Sequence, residues 1–517
     1  MQRTSEIQKL HQNQVWDIVI IGGGATGLGA ALDAASRGYK TLLLEKTDFG
    51  KGTSSKSTKL VHGGVRYLAQ GNYKLVKEAL KERGLLLKNA PNITKTQAFV
   101  LPVFSYWQWF YYAVGLLFYD ILSGKLSLGK TKILGKKETV KSLPNINQSK
   151  LVGSVVYYDG QFNDTRLLID IAKKATAYNA CILNYAEVIN FEKDEYQKVK
   201  GIQFNDKLSN KIYDVATKAV INATGVFVDD LMLLDNKNHR SIIAASQGIH
   251  LVISKVFFEG TNALMIPKTK DGRVLFAVPW NDVIVVGTTD TPIQKIEDDP
   301  IALQKEIEFV LEHFNEYCTS KIATNNVLSV FVGLRPLVNK GKSHTALMSR
   351  DHSIIVAESG IINITGGKWT TYRKMAQDAV DNAVFSGKLD KRKCITQSLQ
   401  INTLPNSNLQ FSHLKVYGNE AESVQNFINQ SAYHQQKIHS TLPLTYGEVI
   451  WIIENEMPQT IEDILARRTR VLFTNATIAK EIAPLIGELL KLHLQETDVW
   501  LQQQLYIFGE VAKKYMI

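Results

Sequence analysis

At 517 residues the chain is too long for one hydrophobic core, so two or three domains are expected. Its 45% hydrophobic and 21% charged composition excludes whole-chain disorder and fibrous repeats, and its three cysteines, Cys181, Cys318 and Cys394, lie too far apart for a zinc site or a disulfide framework, a usage that fits a reducing compartment. The formal charge of +11 points to nucleic acid, an anionic membrane surface or anionic substrates; with no zinc-finger spacing, basic heptads or RNA-binding signature, nucleic acid is the weakest of the three.

Residues 1–14 are polar and lack the apolar stretch of a secretory signal, so a cytoplasmic protein is expected. Residues 15–21 (VWDIVII) read as a short buried strand that runs into Gly22-Gly23-Gly24-Ala25-Thr26-Gly27. A small-residue helix follows over 28–37, then a second buried strand over 41–44 that ends in Glu45. This is a βαβ unit built to hold a dinucleotide. Gly22 permits the tight turn, Gly24 lets the backbone approach a pyrophosphate, and Gly27 lets the helix lie close on the strand. The helix N-terminus offers free amides to the phosphates, and Glu45 can accept hydrogen bonds from a ribose diol. The fingerprint alone does not separate FAD from NAD, and a glycine turn without a ligand is the bland alternative.

Residues 50–59 (GKGTSSKSTK) form a hydroxyl-rich loop suited to wrapping a long cofactor; a flexible linker is the other reading. The run Leu60-Val61-His62-Gly63-Gly64-Val65-Arg66-Tyr67 follows directly. Residues 99–122 are strongly aromatic, but the unbroken apolar core, 109–119, is shorter than the about 20 residues of a membrane-spanning helix. Lysines follow at 125, 130, 132, 136, 137 and 141. Aromatic residues favour the headgroup zone and lysines attract anionic lipid, so an interfacial attachment stands beside an ordinary buried helix as a reading.

Residues 218–225 read as a buried strand ending in Ala223-Thr224-Gly225, and residues 247–252 as a strand that carries His250. Arg335 is held between a glycine and a proline in Gly333-Leu334-Arg335-Pro336-Leu337. A second glycine turn, Gly366-Gly367-Lys368-Trp369-Thr370, opens a helix over 373–384. After a charged linker at 388–393 the chain reads as helices. There Arg467 and Arg468 are either acid partners between domains or, as the preferred reading, a solvated face.

In its Gly22–Glu45, Gly52–Tyr67, Asn222–Gly225, Gly287–Asp290, Gly333–Leu337 and Gly366–Arg373 stretches the chain resembles the FAD-dependent glycerol-3-phosphate dehydrogenase family, within the wider D-amino-acid-oxidase-like flavoproteins. The HGGxRYL and GGKxTTYR patterns carry the resemblance; GxGxxG is common to many folds. The resemblance implies an α/β fold: a Rossmann-like FAD-binding domain (15–98, 151–235 and 331–387) interleaved with an antiparallel-sheet substrate domain (236–330). It also implies a substrate- or membrane-facing segment at 99–150 and an all-α C-terminal domain at 388–517. FAD is the implied cofactor, with contacts from Gly22, Gly24, Gly27, Glu45, Thr53, Ser54, Ser57, Lys59, Leu60, Val188, Ala223, Gly225, Gly366, Gly367 and Thr370; no metal is implied.

The implied substrate is sn-glycerol 3-phosphate, oxidised at C2 to dihydroxyacetone phosphate, with electrons passed to a membrane quinone. Its phosphate carries nearly two negative charges and calls for fixed cations, best supplied by the planar fork of arginine. Arg66, Arg335, Arg350 and Lys368 are the candidates, with Tyr67 beside them. A base must take the hydroxyl proton, and histidine, with an ordinary pKa near ~6.5, suits the task. His250 is the first candidate and His62 the second; Lys368 or Arg335 could instead polarise the oxygen as it becomes a ketone. Family members often carry lysine where Gln247 stands. The expected site of action is the inner face of the membrane, by peripheral attachment to anionic lipid. A glycerol-3-phosphate oxidase that makes peroxide from oxygen shares every motif and is the alternative. Homodimer contact stays open, as does the role of the C-terminal domain.

Overall fold

The strand Val15–Ile21 is apolar on both faces, as a central parallel strand must be. Ile18 and Ile20 point into one core and Val19 and Ile21 into another. The strand pairs in parallel with Thr41–Leu44 on one side and with the second half of Lys211–Asn222 on the other. Cys181–Leu183 and Ile362–Gly366 extend the parallel sheet at its two ends, and His352–Val356 closes one edge in antiparallel sense. A meander of Ala186–Lys193 and Val199–Asp206 continues from the first half of Lys211–Asn222. This computed structural model describes residues 1–69, 71–338, 352–405 and 408–517, the side chains of residues 66, 69, 410 and 411 excepted.

The helices Ala25–Ser36, Asp164–Ala177 and Tyr372–Ser386 share one core with Ile18 and Ile20. Small residues let them approach: a Cβ added to Gly29 would lie 2.9 Å from the Tyr372 ring.

A second sheet, ten-stranded among the described residues, is built on the long antiparallel pair Ile243–Ser254 and Val327–Val338. Val283–Gly287, Leu275–Trp280 and Ala263–Ile266 add to it in turn, followed by Thr94–Val103, Gly153–Phe162 and Leu60–Val61. The chain passes between the two sheets repeatedly, so segments far apart in sequence meet at their junction.

The helices Ala421–Asn429, Tyr446–Asn455, Ala476–Leu494 and Asp498–Lys513 make up most of the C-terminal region. Their core, which includes Ile452, Ile464 and Ile486, runs on without a break into Trp280, Val285 and Phe331 of the second sheet. The region is therefore packed on the body of the protein. Arg467 and Arg468, read from sequence as a solvated face, are buried instead: they form ion pairs with Asp48, which has no exposed surface. The local charge run resembles a surface because the partner lies more than 400 residues away in sequence.

A second buried tie joins Arg166 to Glu456 at 2.7 Å and to Asp170 at 3.2 Å. Burial pushes the Glu456 carboxyl up, but the Arg166 and Lys173 charges more than offset this and hold it below its usual range. Arg166→Met strands that carboxylate and is expected to cost about 3–5 kcal/mol of unfolding free energy in urea denaturation. A carboxyl whose pKa is lowered on folding adds stability above its unfolded value near ~4.3 and loses it as pH falls through the folded value. The difference between wild type and Arg166→Met should therefore shrink on acidification below that value; a constant difference would contradict the assignment.

Candidate active site

The first glycine turn is shaped by contact. Gly22 has φ +110°, and a Cβ on Gly27 would sit 1.8 Å from the Gly22 carbonyl oxygen, so the helix Ala25–Ser36 can start there only with glycine at that position. Above this turn opens a cavity of about 640 Å³, at the junction of the two sheets. Thirteen of the residues expected to hold the cofactor line it: Gly22, Gly24, Glu45, Thr53, Ser54, Ser57, Leu60, Val188, Ala223, Gly225, Gly366, Gly367 and Thr370. Gly27 and Lys59 do not. Gly27 acts through packing, as described. The Lys59 ammonium is sealed against Asp164 at 2.6 Å and the Ser55 carbonyl at 2.7 Å, with the Phe331 ring 4.8 Å away. Burial, then the Arg470 charge, lowers its pKa to about 7 against the pull of Asp164.

Glu45 accepts hydrogen bonds from the Gly23 amide at 2.6 Å and from the Thr47 amide and hydroxyl at 2.9 and 2.8 Å. A carboxylate has about four lone-pair sites, so one remains for a hydroxyl of a bound ribose. The loop over 47–59 closes one side of the cavity. Thr53 donates to the Leu334 carbonyl at 2.7 Å, Ser57 donates to Asp164 at 2.7 Å, and Ser54 accepts from the Ala25 amide at 3.0 Å. The Trp369 indole, from the second glycine turn, donates to the Ser54 carbonyl at 2.8 Å.

The other end of the same cavity is polar and cationic. In the strand pair Ile243–Ser254 and Val327–Val338, Ser246 lies opposite Arg335, Gly248 opposite Gly333 and His250 opposite Phe331. The period of two puts Gly248, His250, Gly333 and Arg335 on one face, and all four line the cavity. Gly248 makes room for the guanidinium: a Cβ there would lie 2.3 Å from Arg335 Nη2. Arg335 donates to the Thr289 carbonyl at 2.9 Å and the Thr288 hydroxyl at 3.1 Å, and pairs with Asp290 at 3.3 Å. Its fork is thus aimed from behind while one-fifth of the side chain stays exposed.

His250 is buried, stacks on Phe331 with ring centroids 4.8 Å apart, and shares a 2.8 Å hydrogen bond from Nε2 with the Thr58 hydroxyl. Burial, then the Lys59 and Arg335 charges, pushes its pKa well below the ordinary value. His62 and Lys368 also line the cavity, and the His62 amide donates to Thr370 at 3.1 Å. Lys368 Nζ lies 3.8 Å from the centre of the Tyr67 ring; Tyr67 supports it without lining the cavity itself. The Arg66 side chain and the whole of Arg350 lie outside the described residues. Gln247 donates to Glu306 at 2.7 Å. Thr58 and Gly248 belong to the site but were not singled out by sequence; the only signal was their place in the hydroxyl-rich loop and beside His250.

These residues fit FAD. One cavity joins a glycine cradle with no room for a Cβ to a wall carrying Arg335 and Lys368, and His250 Nδ1 is buried there without a hydrogen-bond partner among the described residues. Comparison with known proteins agrees. Residues 17–373 match the family model described as FAD dependent oxidoreductase, and residues 362–500 match the C-terminal domain of alpha-glycerophosphate oxidase. The mitochondrial glycerol-3-phosphate dehydrogenases of Macaca fascicularis and Homo sapiens are each 38% identical to this chain, over 99% of it and 75% of their own length. The glycerol-3-phosphate dehydrogenase from Bacillus halodurans complexed with FAD superposes with a TM-score of 0.81 at 28% identity, covering 99% of this chain and 97% of that one. The L-alpha-glycerophosphate oxidase of Mycoplasma pneumoniae, at 18% identity and a TM-score of 0.58 over 74% of this chain and 97% of its own, shares the fold. The chain belongs to the FAD-dependent glycerol-3-phosphate dehydrogenase family, and FAD is its cofactor.

Proposed function

We propose that this chain oxidises sn-glycerol 3-phosphate to dihydroxyacetone phosphate and passes the electrons to a quinone in the membrane. The observation that carries this reading is the cationic wall: Arg335 and Lys368 line the same cavity as the cofactor cradle, next to a histidine kept neutral. The planar fork of Arg335 is matched to phosphate oxygens in pairs, and Lys368 adds a compact charge. A neutral His250 can take the C2 hydroxyl proton at Nε2 by way of the Thr58 hydroxyl, which is hydrogen-bonded to that nitrogen at 2.8 Å. FAD, when bound, supplies the acceptor for the hydride that leaves C2. His62 stands in the same wall as the second candidate for the proton. Arg335 and Lys368 also stabilise negative charge on the oxygen while the ketone forms.

Attachment to a membrane is supported by the helix Tyr106–Ser123. Ala113, Leu116 and Tyr119 are buried, whereas Tyr106, Trp107, Phe110, Tyr111 and Ile121 are at least 60% exposed. The six lysines that follow, from Lys125 to Lys141, are all exposed. An outward aromatic face flanked by lysines matches interfacial binding to anionic lipid. Among the described residues no helix is long and apolar enough to cross a membrane, so the proposed attachment is peripheral, at the inner face.

Arg335→Ala should raise KM for glycerol 3-phosphate at least about tenfold without improving oxidation of uncharged glycerol, and His250→Gln should lower kcat by about 10²–10⁴ with flavin still bound. An unchanged KM or kcat in steady-state assays contradicts the respective role. Hydrogen peroxide formed in proportion to substrate would instead assign the oxidase reaction. Replacing Trp107 and Phe110 together by serine should abolish cosedimentation with phosphatidylglycerol vesicles at low salt; undiminished binding contradicts the proposed attachment.

A further inference from the structure

The loop over 47–59 lines the cofactor cavity through Lys51, Thr53, Ser54 and Ser57, and Gly50 donates to the Gly23 carbonyl of the glycine turn at 3.0 Å. The loop is also gripped at three points by one short stretch of the C-terminal region, with Lys51 belonging to both sets. Asp48 accepts from Arg467 Nε at 2.5 Å and from both terminal nitrogens of Arg468, one of them at 2.9 Å. Lys51 pairs with Glu462 at 3.0 Å. The Ser55 carbonyl accepts from Arg470 at 2.9 Å.

The gripping stretch is itself held in an unusual shape. Residues Asp463–Arg468 form a π-helical turn, a geometry frequent at functional sites, and Arg470 has φ +67°. Arg467 also pairs with Glu462 at 2.5 Å and Asp463 at 2.6 Å, so the Asp48 and Lys51 grips form one connected network. No residue from 456 to 470 lines the cavity. Buried ion networks of this kind add little net stability over apolar packing, but their geometry tolerates few arrangements.

We infer that the C-terminal helical region serves as a clamp on the cofactor-wrapping loop, and that Glu462, Arg467, Arg468 and Arg470 are positioning residues for FAD retention that never touch the cofactor. This rests on the FAD placement given above. Lys51 and Glu462 are the testable pair, because both keep some exposure and their uncharged replacements preserve side-chain size.

The test follows release of FAD from the full-length holoenzyme by the rise in flavin fluorescence, well below the melting temperature, with far-UV circular dichroism recorded alongside. Glu462→Gln should release FAD about tenfold faster than wild type with an unchanged dichroism spectrum. Adding Lys51→Met to Glu462→Gln should quicken release by less than the two single effects combined, because the two residues share an ion pair, beside those of Lys51 with Asp299 and Glu462 with Arg467. Phe508→Ala, a truncation in the core of the same region that leaves all three grips in place, should lower the melting temperature yet keep release within about twofold of wild type. Wild-type release from Glu462→Gln would overturn the clamp, as would Phe508→Ala shedding FAD as fast as Glu462→Gln. The flavin content of the wild-type protein, read from its absorbance, tests the cofactor placement separately.

Discussion

The register between Ile243–Ser254 and Val327–Val338 is the constraint on which the site depends. A slip of one residue would turn His250 or Arg335 to the opposite face of the sheet. The register is held by what lies on each side. Ile249, Leu251 and Ile253 are buried in the substrate-sheet core, while Phe331 packs toward the C-terminal helices. Gly248 and Gly333 then leave the space in which a guanidinium and a cofactor loop can approach; a Cβ on Gly333 would meet the Lys56 carbonyl oxygen at 2.7 Å. Packing on both faces thus fixes where the charge stands, and a fixed charge in a walled cavity acts more strongly than one in water.

The same economy links the proposed membrane face to the site. Tyr119, on the buried side of the aromatic helix, donates to Asp159 at 2.8 Å and accepts from the Gly63 amide at 2.8 Å, one residue after His62. Arg83 pairs with Asp159 at 2.7 Å. All three side chains are buried. The helix is therefore anchored by polar contacts on the site side and presents apolar rings on the other.

Much of this was legible in the sequence where the determinants are local. The strand at 15–21, the glycine turn and Glu45 follow from apolar runs and backbone needs within about thirty residues. Arg335 could be singled out because its Gly333–Leu337 stretch carries the family resemblance and a phosphate calls for a planar cation. Features that depend on distant partners were not legible. Lys59 looks like a cofactor contact in its hydroxyl-rich loop, yet its ammonium is taken up by Asp164, 105 positions away. Arg467 and Arg468 look like a solvated face until Asp48 is brought against them. The outward side of the helix Tyr106–Ser123 was open for a related reason: aromatic residues surround it, so periodicity alone gives no inner face.

The central claim is that a flavin and a cationic pocket share one cavity, so that a phosphorylated alcohol reduces the flavin. Anaerobic mixing of the yellow holoenzyme with sn-glycerol 3-phosphate, followed in the visible absorbance of oxidised flavin, tests this most directly. Prompt bleaching by the phosphate ester and little by glycerol at the same concentration are expected. Flavin that stays oxidised with the ester, or bleaches equally with both alcohols, would contradict the claim.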